Sequence, residues 1–196
     1  MICAIVLAAG RSERMGRQKL LLPLKDRPII VRVVDELLRV PVSRVLVVVG
    51  RDAGPIQAAL CGREVSFVRN PDSAGDMLGS VRCGLRALPE SCEAVLVALG
   101  DQPGLSHQLV GGLIGAFRES GRSIIVPAHG GRRGHPVLFD ARFREEMLTR
   151  FEGVGLRGLL AAHPDKIHRV PVLSASALED LDTPEDYQRH LNSTTD

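Results

Sequence analysis

Short apolar segments rich in β-branched residues alternate with segments of helical periodicity, and this alternation constrains the fold more than any other feature. The apolar segments are ICAIVLA, RVLVVVG, VSFV, AVLVALG, SIIVPA, HPVLF and HRVPVL. The helical segments include PIIVRVVDELLRV, GSVRCGLRAL and HQLVGGLIGAFRES. Such alternation is typical of α/β proteins. We therefore predict an α/β fold with a mainly parallel sheet flanked by helices.

The length and charge of the chain limit its organisation and its partners. With 196 residues, of which 44% are hydrophobic, the chain can form one core of ordinary size. We predict one domain over residues 1–191 and a disordered polar tail over 192–196. The 25 basic and 23 acidic residues are intermixed and only 3% of residues are aromatic, which argues against a nucleic-acid partner. No apolar stretch is long enough to span a bilayer, so we expect no membrane association.

The cysteines point to a reducing environment. Cys3, Cys61, Cys83 and Cys92 show no paired spacing, and the amino terminus lacks the pattern of a signal peptide. We therefore predict that all four are reduced thiols that pack as small apolar side chains. A cytoplasmic location fits this pattern best.

The loop after the first apolar segment is rich in glycine and positive charge. Ligands bind at the carboxyl ends of parallel strands, and here such an end, LAAG, is followed by RSERMGRQK. Glycines at positions 10 and 16 free the backbone to expose N–H groups, and basic side chains lie close by, which predicts a cradle for a polyphosphate. Neither a dinucleotide fingerprint nor a Walker loop is present. The alternative is an ordinary basic surface loop.

Two acidic motifs supply candidate metal ligands. Asp101 follows the strand segment AVLVALG, and Asp182 lies in LEDLDTPEDY near the carboxyl terminus. Two carboxylates together with phosphate oxygens suit Mg²⁺, which binds few protein carboxylates and keeps several waters. Each aspartate could instead cap the helix that follows it.

Two further segments could contact substrates. NPDSAGDMLGSVRCGL, residues 70–85, places Ser80 and Arg82 near a helix start, which could bind an anion or a sugar edge or be an ordinary loop and helix start. AHGGRRGHPVLF, residues 128–139, places arginines and His135 among glycines. A single histidine is more often structural than functional, so this segment alone leaves its role open.

The segment LAAGRSERMGRQKLLLPLKDRPII, residues 7–30, resembles the signature of the nucleotidyltransferases of molybdenum cofactor biosynthesis, within the MobA-like NTP transferase family. GDQP, DLDTPED and GHPVLF are similar to further elements of that family. The resemblance covers nearly the whole chain. It implies a single-domain, Rossmann-like nucleotidyltransferase fold with a mainly parallel, mixed sheet.

The resemblance also implies roles for individual residues. Catalysis would involve Arg14, Lys19 and Asp101, and Mg²⁺ would be bound by Asp101 and Asp182, with Asp180 the weaker candidate ligand. The acceptor would contact Arg133, Gly134 and His135. The nucleotide would contact Leu7, Ala8, Ala9, Gly10, Arg11, Ser12, Arg14, Met15, Gly16, Lys19, Asn70, Gly75, Ser80 and Arg82.

The reaction implied by the resemblance is transfer of CMP from CTP to the phosphate of molybdenum-bound molybdopterin, with release of pyrophosphate. LAAG, rather than LAGG, favours CTP over GTP. The alternatives are a guanylyltransferase acting on the same pterin, a sugar- or alditol-phosphate nucleotidyltransferase, and a non-catalytic protein that delivers the cofactor. Expected partners are the nucleoside triphosphate, the molybdopterin-type acceptor and a recipient molybdoenzyme or its maturation chaperone.

Overall fold

The structure is a computed structural model that describes residues 1–10, 18–72 and 76–193. Within these ranges an eight-stranded sheet has the order β10-β7-β9-β6-β1-β4-β5, and β8 pairs with β7. A separate hairpin contains β2 and β3. In chain order, the strands β1 to β10 are Ile2–Ala8, Pro23–Leu24, Arg27–Pro28, Arg44–Val49, Val65–Arg69, Ala94–Leu99, Ile124–His129, Arg132–Arg133, Val137–Asp140 and Ile167–Pro171.

The sheet is mixed and mostly parallel, which confirms the predicted fold class. Strand β1 is parallel to β4 and β6, β4 is parallel to β5, and β7 is parallel to β10. Strand β9 runs antiparallel to both β6 and β7. As a result, residues that precede β9 lie at the same sheet edge as residues that follow β6.

Helices cover both faces of the sheet. Helices α1 to α7 are Ile29–Leu37, Gly54–Ala59, Met77–Ala87, His107–Glu119, Arg144–Thr149, Leu156–Ala162 and Pro184–Ser193. Helix α7 extends two residues into the predicted tail, and residues 194–196 lie outside the described residues. Among the helices described here, none combines the length and the apolar character that crossing a membrane would require.

The central strand β1 connects the two halves of the core. Its alternate side chains belong to different clusters, with Ala4 and Val6 packed among residues of α1 and α4, and Cys3 and Ile5 among residues of α3 and α5. Both faces of β1 are therefore buried, as expected for a central strand of a doubly covered sheet. This packing fixes where the carboxyl end of β1 lies.

The structure corrects the prediction for two of the four cysteines. Cys3 and Cys92, separated by 89 residues in sequence, form a disulfide, and both are buried. The prediction was wrong because sequence spacing does not report sheet neighbours: Cys92 lies two residues before β6, the strand that pairs with β1. Cys61 and Cys83 are free. The cysteines thus no longer support the predicted cytoplasmic location.

We expect the double substitution Cys3→Ala and Cys92→Ala to lower the free energy of unfolding by about 2 to 4 kcal/mol, because a crosslink over a long loop restricts the unfolded chain. Thermal unfolding with and without a thiol reductant measures the effect. Cys61→Ser, at an exposed free thiol, is the control and should not respond. An unchanged melting temperature of the parent protein in reductant would contradict the prediction.

Candidate active site

Three predicted residues meet at the carboxyl edge of the sheet. Asp101 follows β6, Lys19 lies in a short 3-10 turn, Lys19–Leu21, and Asp182 precedes α7. The Nζ atom of Lys19 lies 2.5 Å from Oδ2 of Asp101 and 2.8 Å from Oδ1 of Asp182. Two carboxylates from distant parts of the sequence therefore converge on one cation.

Close contact between β1 and β6 places Asp101 at this edge. The Gly100 N–H donates to the Leu7 carbonyl at 3.0 Å. A Cβ atom at Gly100 would lie 2.9 Å from that same oxygen, so a larger residue would push the two strand ends apart. Glycine at this position thus brings the Asp101 carboxylate next to the loop that follows β1.

The carboxyl-terminal segment is anchored so that Asp182 faces Lys19. Leu181 is buried in a small cluster with residues of the β2–β3 hairpin and Tyr187, and its N–H donates to the Asp101 carbonyl at 3.0 Å. The Tyr187 hydroxyl donates to the Pro23 carbonyl at 2.5 Å. Packing of this segment, rather than local sequence, therefore places the second carboxylate.

Other residues occupy the capping positions that could have explained the two aspartates. The Ser106 hydroxyl accepts from the Leu109 N–H at the start of α4. At the start of α7, Thr183 and Asp186 each accept from the other's N–H, forming a capping box. The carboxylates of Asp101 and Asp182 instead contact Lys19.

The electrostatics of the pair favour a retained positive charge. Burial raises the pKa of Asp101, and Lys19 opposes this only in part. Burial also disfavours charge on Lys19, but the nearby carboxylates of Asp101 and Asp182 outweigh it and raise the Lys19 pKa. The ammonium therefore stays protonated at neutral pH, and the buried carboxylate depends on a neighbouring cation.

Two adjoining cavities open on this site. The smaller, of about 310 Å³, is lined by predicted nucleotide and metal residues: Leu7, Ala9, Gly10, Lys19, Ser80, Asp101 and Asp182. The larger, of about 800 Å³, is lined by the predicted acceptor residues Arg133, Gly134 and His135. They share four lining residues: Asp76, Met77, Leu99 and Asp180. Ala8 lines a third cavity of about 480 Å³ beside Gly10.

Some predicted residues lie outside the described residues, namely Arg11, Ser12, Arg14, Met15, Gly16 and Gly75. Asn70 is buried behind the smaller cavity and donates from Nδ2 to the Ser80 hydroxyl at 3.0 Å. It therefore orients Ser80 rather than lining the cavity itself.

The structure places Arg82 away from both cavities. Its guanidinium donates to the backbone carbonyls of Met147 and Arg150 and pairs with Glu152. These groups lie at and just beyond the carboxyl end of α5, where carbonyls lack helical partners. The predicted contact between Arg82 and the nucleotide is therefore replaced here by a link between α3 and α5.

Sequence reasoning underrated or missed residues on the acceptor side. Burial lowers the pKa of His135, with the Asp180 carboxylate opposing and the Arg157 guanidinium adding to the effect. Both Asp180 and Arg157 line the larger cavity. Asp180 was detectable from its place in DLDTPED, whereas Arg157 lies in a helix with no motif around it. The larger cavity thus has a cationic wall and one carboxylate where it meets the smaller cavity.

The fold and the cleft together define an α/β protein built to bind a phosphorylated nucleotide at the carboxyl edge of its sheet. The model of the MobA-like NTP transferase domain matches residues 4–167. The chain belongs to this nucleotidyltransferase family, which confirms the resemblance identified in the sequence.

Individual relatives support the same fold over nearly the whole chain. Nicotine blue oxidoreductase from Paenarthrobacter nicotinovorans is 31% identical, covering 97% of this chain and 96% of the relative. The molybdenum cofactor cytidylyltransferase of Escherichia coli K12 is 28% identical, covering 95% and 93%. A solved nucleotidyl transferase from Methanothermobacter thermautotroptrophicus superimposes with a TM-score of 0.86 at 28% identity, covering 100% and 99%.

We expect Lys19→Met to lower the free energy of unfolding at pH 7 by about 3 kcal/mol, because it leaves the buried Asp101 carboxylate without its cation. The Asp101 pKa is already raised in the folded state and would rise further in the variant. The loss should therefore shrink as the pH falls and this carboxyl takes up a proton.

Urea unfolding at pH 7 and pH 5 measures this dependence. Lys166→Met is the matched control, since Lys166 pairs with Asp165 on the exposed surface. An equal loss of stability for Lys19→Met at both pH values would contradict the assigned pairing.

Proposed function

We propose that the protein transfers a nucleoside monophosphate from a nucleoside triphosphate to a phosphate group of an acceptor and releases pyrophosphate. The observation that carries the proposal is the position of Lys19, paired with Asp101 and Asp182 in the cavity that adjoins the larger one. The smaller cavity would hold the donor and the larger cavity the acceptor.

The donor set suits Mg²⁺. Asp101 and Asp182 already converge on a single cation position, and Mg²⁺ commonly binds one or two carboxylates plus substrate phosphates. Among the described residues no cluster of three or more acidic, histidine or cysteine ligands forms, so substrate oxygens and water would complete the coordination. When bound there, the ion would neutralise phosphate charge and orient the reacting groups.

The chemistry asks little of the protein beyond alignment and charge. A phosphate monoester carries nearly two negative charges at neutral pH, because its second pKa is about 6, and it needs no general base to act as a nucleophile. Its oxygen would form a bond to the α-phosphorus while the bond from that atom to the pyrophosphate oxygen breaks. The Lys19 ammonium would stabilise the charge on the departing pyrophosphate.

We further propose CTP as the donor and molybdenum-bound molybdopterin as the acceptor. The Ala9 methyl group lines the smaller cavity, in the position where the LAAG motif favours cytosine, and one methyl group discriminates between ligands by about 1 to 3 kcal/mol. The similarity to the Escherichia coli molybdenum cofactor cytidylyltransferase supports the same assignment. Cytoplasmic location and a recipient molybdoenzyme or its chaperone stay predictions.

The competing function comes from the other relative, whose name is that of an oxidoreductase. Oxidoreduction would need an electron donor, whereas the paired carboxylates and lysine described here suit phosphate chemistry. A guanylyltransferase, a sugar-phosphate nucleotidyltransferase and a delivery protein differ in donor, acceptor or turnover. One assay can separate all of them.

We expect pyrophosphate release in Mg²⁺ with a molybdopterin-type acceptor when CTP is the donor, and little with ATP, GTP or UTP in parallel reactions. Release with GTP alone would overturn the base assignment and keep the chemistry. Release only with a sugar phosphate would overturn the acceptor. Absence of release in every reaction, with reduction of nicotine blue by NADPH or NADH, would make the protein an oxidoreductase.

We expect Asp101→Asn to lower kcat by about 10³-fold, in the range seen when a group that stabilises the transition state is removed. The amide keeps the shape of the side chain and removes a buried charge, so the melting temperature should stay close to that of the parent protein. Asp165→Asn, at an exposed residue, is the control. Early melting with retained specific activity would instead assign Asp101 a structural role.

A further inference from the structure

Gln102, the residue after Asp101, is completely buried. Its amide nitrogen, Nε2, donates to the His135 carbonyl and to the Ala177 carbonyl, each at 2.8 Å. The first carbonyl belongs to the wall of the larger cavity. The second belongs to the segment that leads into Asp180 and Asp182. One side chain therefore links three segments that line the cleft.

The segment over residues 175–182 lies directly against the loop that contains Gln102. A Cβ atom at Gly104 would come within 2.2 Å of the Ser176 carbonyl oxygen. Three residues from Gln102 along the cleft, the Leu181 N–H donates to the Asp101 carbonyl. The position of the segment, and hence of its carboxylates, depends on contacts with residues 101–104.

The hydrogen bonds of Gln102 are lopsided. Both donor positions of its amide are used, while Oε1 is buried with no partner among the described residues. An unpaired buried acceptor costs free energy, so the side chain is a poor choice for stability alone. An apolar residue of similar size would remove that cost but leave the His135 and Ala177 carbonyls without a donor.

We propose that Gln102 is a positioning residue that fixes the acceptor cavity relative to the carboxylates of the donor site. Its two hydrogen bonds hold the His135 wall and the 175–182 segment at a set distance from Asp101. Its effect on catalysis rests on the proposed nucleotidyl transfer, whereas its effect on the segment can be measured without turnover.

The test compares Gln102→Met, which keeps the length of the side chain and loses the donor, with the parent protein. In the variant we expect faster deuterium exchange at the amides of residues 177–182, including the Leu181 N–H. We also expect kcat to fall by about 100-fold, the effect of a misplacement of about 1 Å. KM for the acceptor should rise, and KM for the nucleotide should stay within about twofold, because the Lys19 end of the cleft is not displaced.

Gln108→Met, at an exposed residue of α4, is the matched control and should leave every quantity unchanged. If Gln102→Met does not fold, Gln102→Asn, which keeps an amide donor on a shorter side chain, undergoes the same measurements. Unchanged exchange, or earlier melting with unchanged kcat and KM, would overturn the positioning role. Faster exchange in a protein that never releases pyrophosphate would uphold the link made by Gln102 and reject the proposed reaction.

Discussion

The ion pairs of Lys19 with Asp101 and Asp182 connect parts of the chain that are up to 163 residues apart. They bring together the turn after the first strand, the end of β6 and the start of the last helix. Burial makes the Asp101 carboxylate costly without a cation. The cleft is therefore organised around a charge balance that a bound substrate or metal ion would have to preserve as it enters.

The antiparallel strand β9 gives the cleft its second half. In an entirely parallel sheet, the segment before this strand would lie at the opposite edge. Reversal of β9 instead brings Gly134 and His135 to the edge where β6 ends. The same sheet edge thus carries both the strand-end loops of the donor side and the histidine and arginine residues of the larger cavity.

The sequence predicted the fold class and most of the cleft because both depend on local patterns. Alternating apolar and helical segments identified the strands, and strand ends identified Lys19 and Asp101. It did not predict the Cys3–Cys92 disulfide, the role of Arg82 or the place of Arg157, because each depends on which elements become neighbours after folding. The ambiguity between capping and ligand roles at Asp182 likewise required the positions of Thr183 and Asp186.

The two cavities are continuous, since they share Asp76, Met77, Leu99 and Asp180. A product made by joining the two substrates would occupy both cavities at once and keep the contacts that each substrate made separately. Pyrophosphate would leave only the smaller one. Such a product would compete with both substrates and dissociate slowly, so its departure, rather than bond formation, would limit turnover. A partner that accepts the product directly from the cleft would then set the rate of the whole cycle.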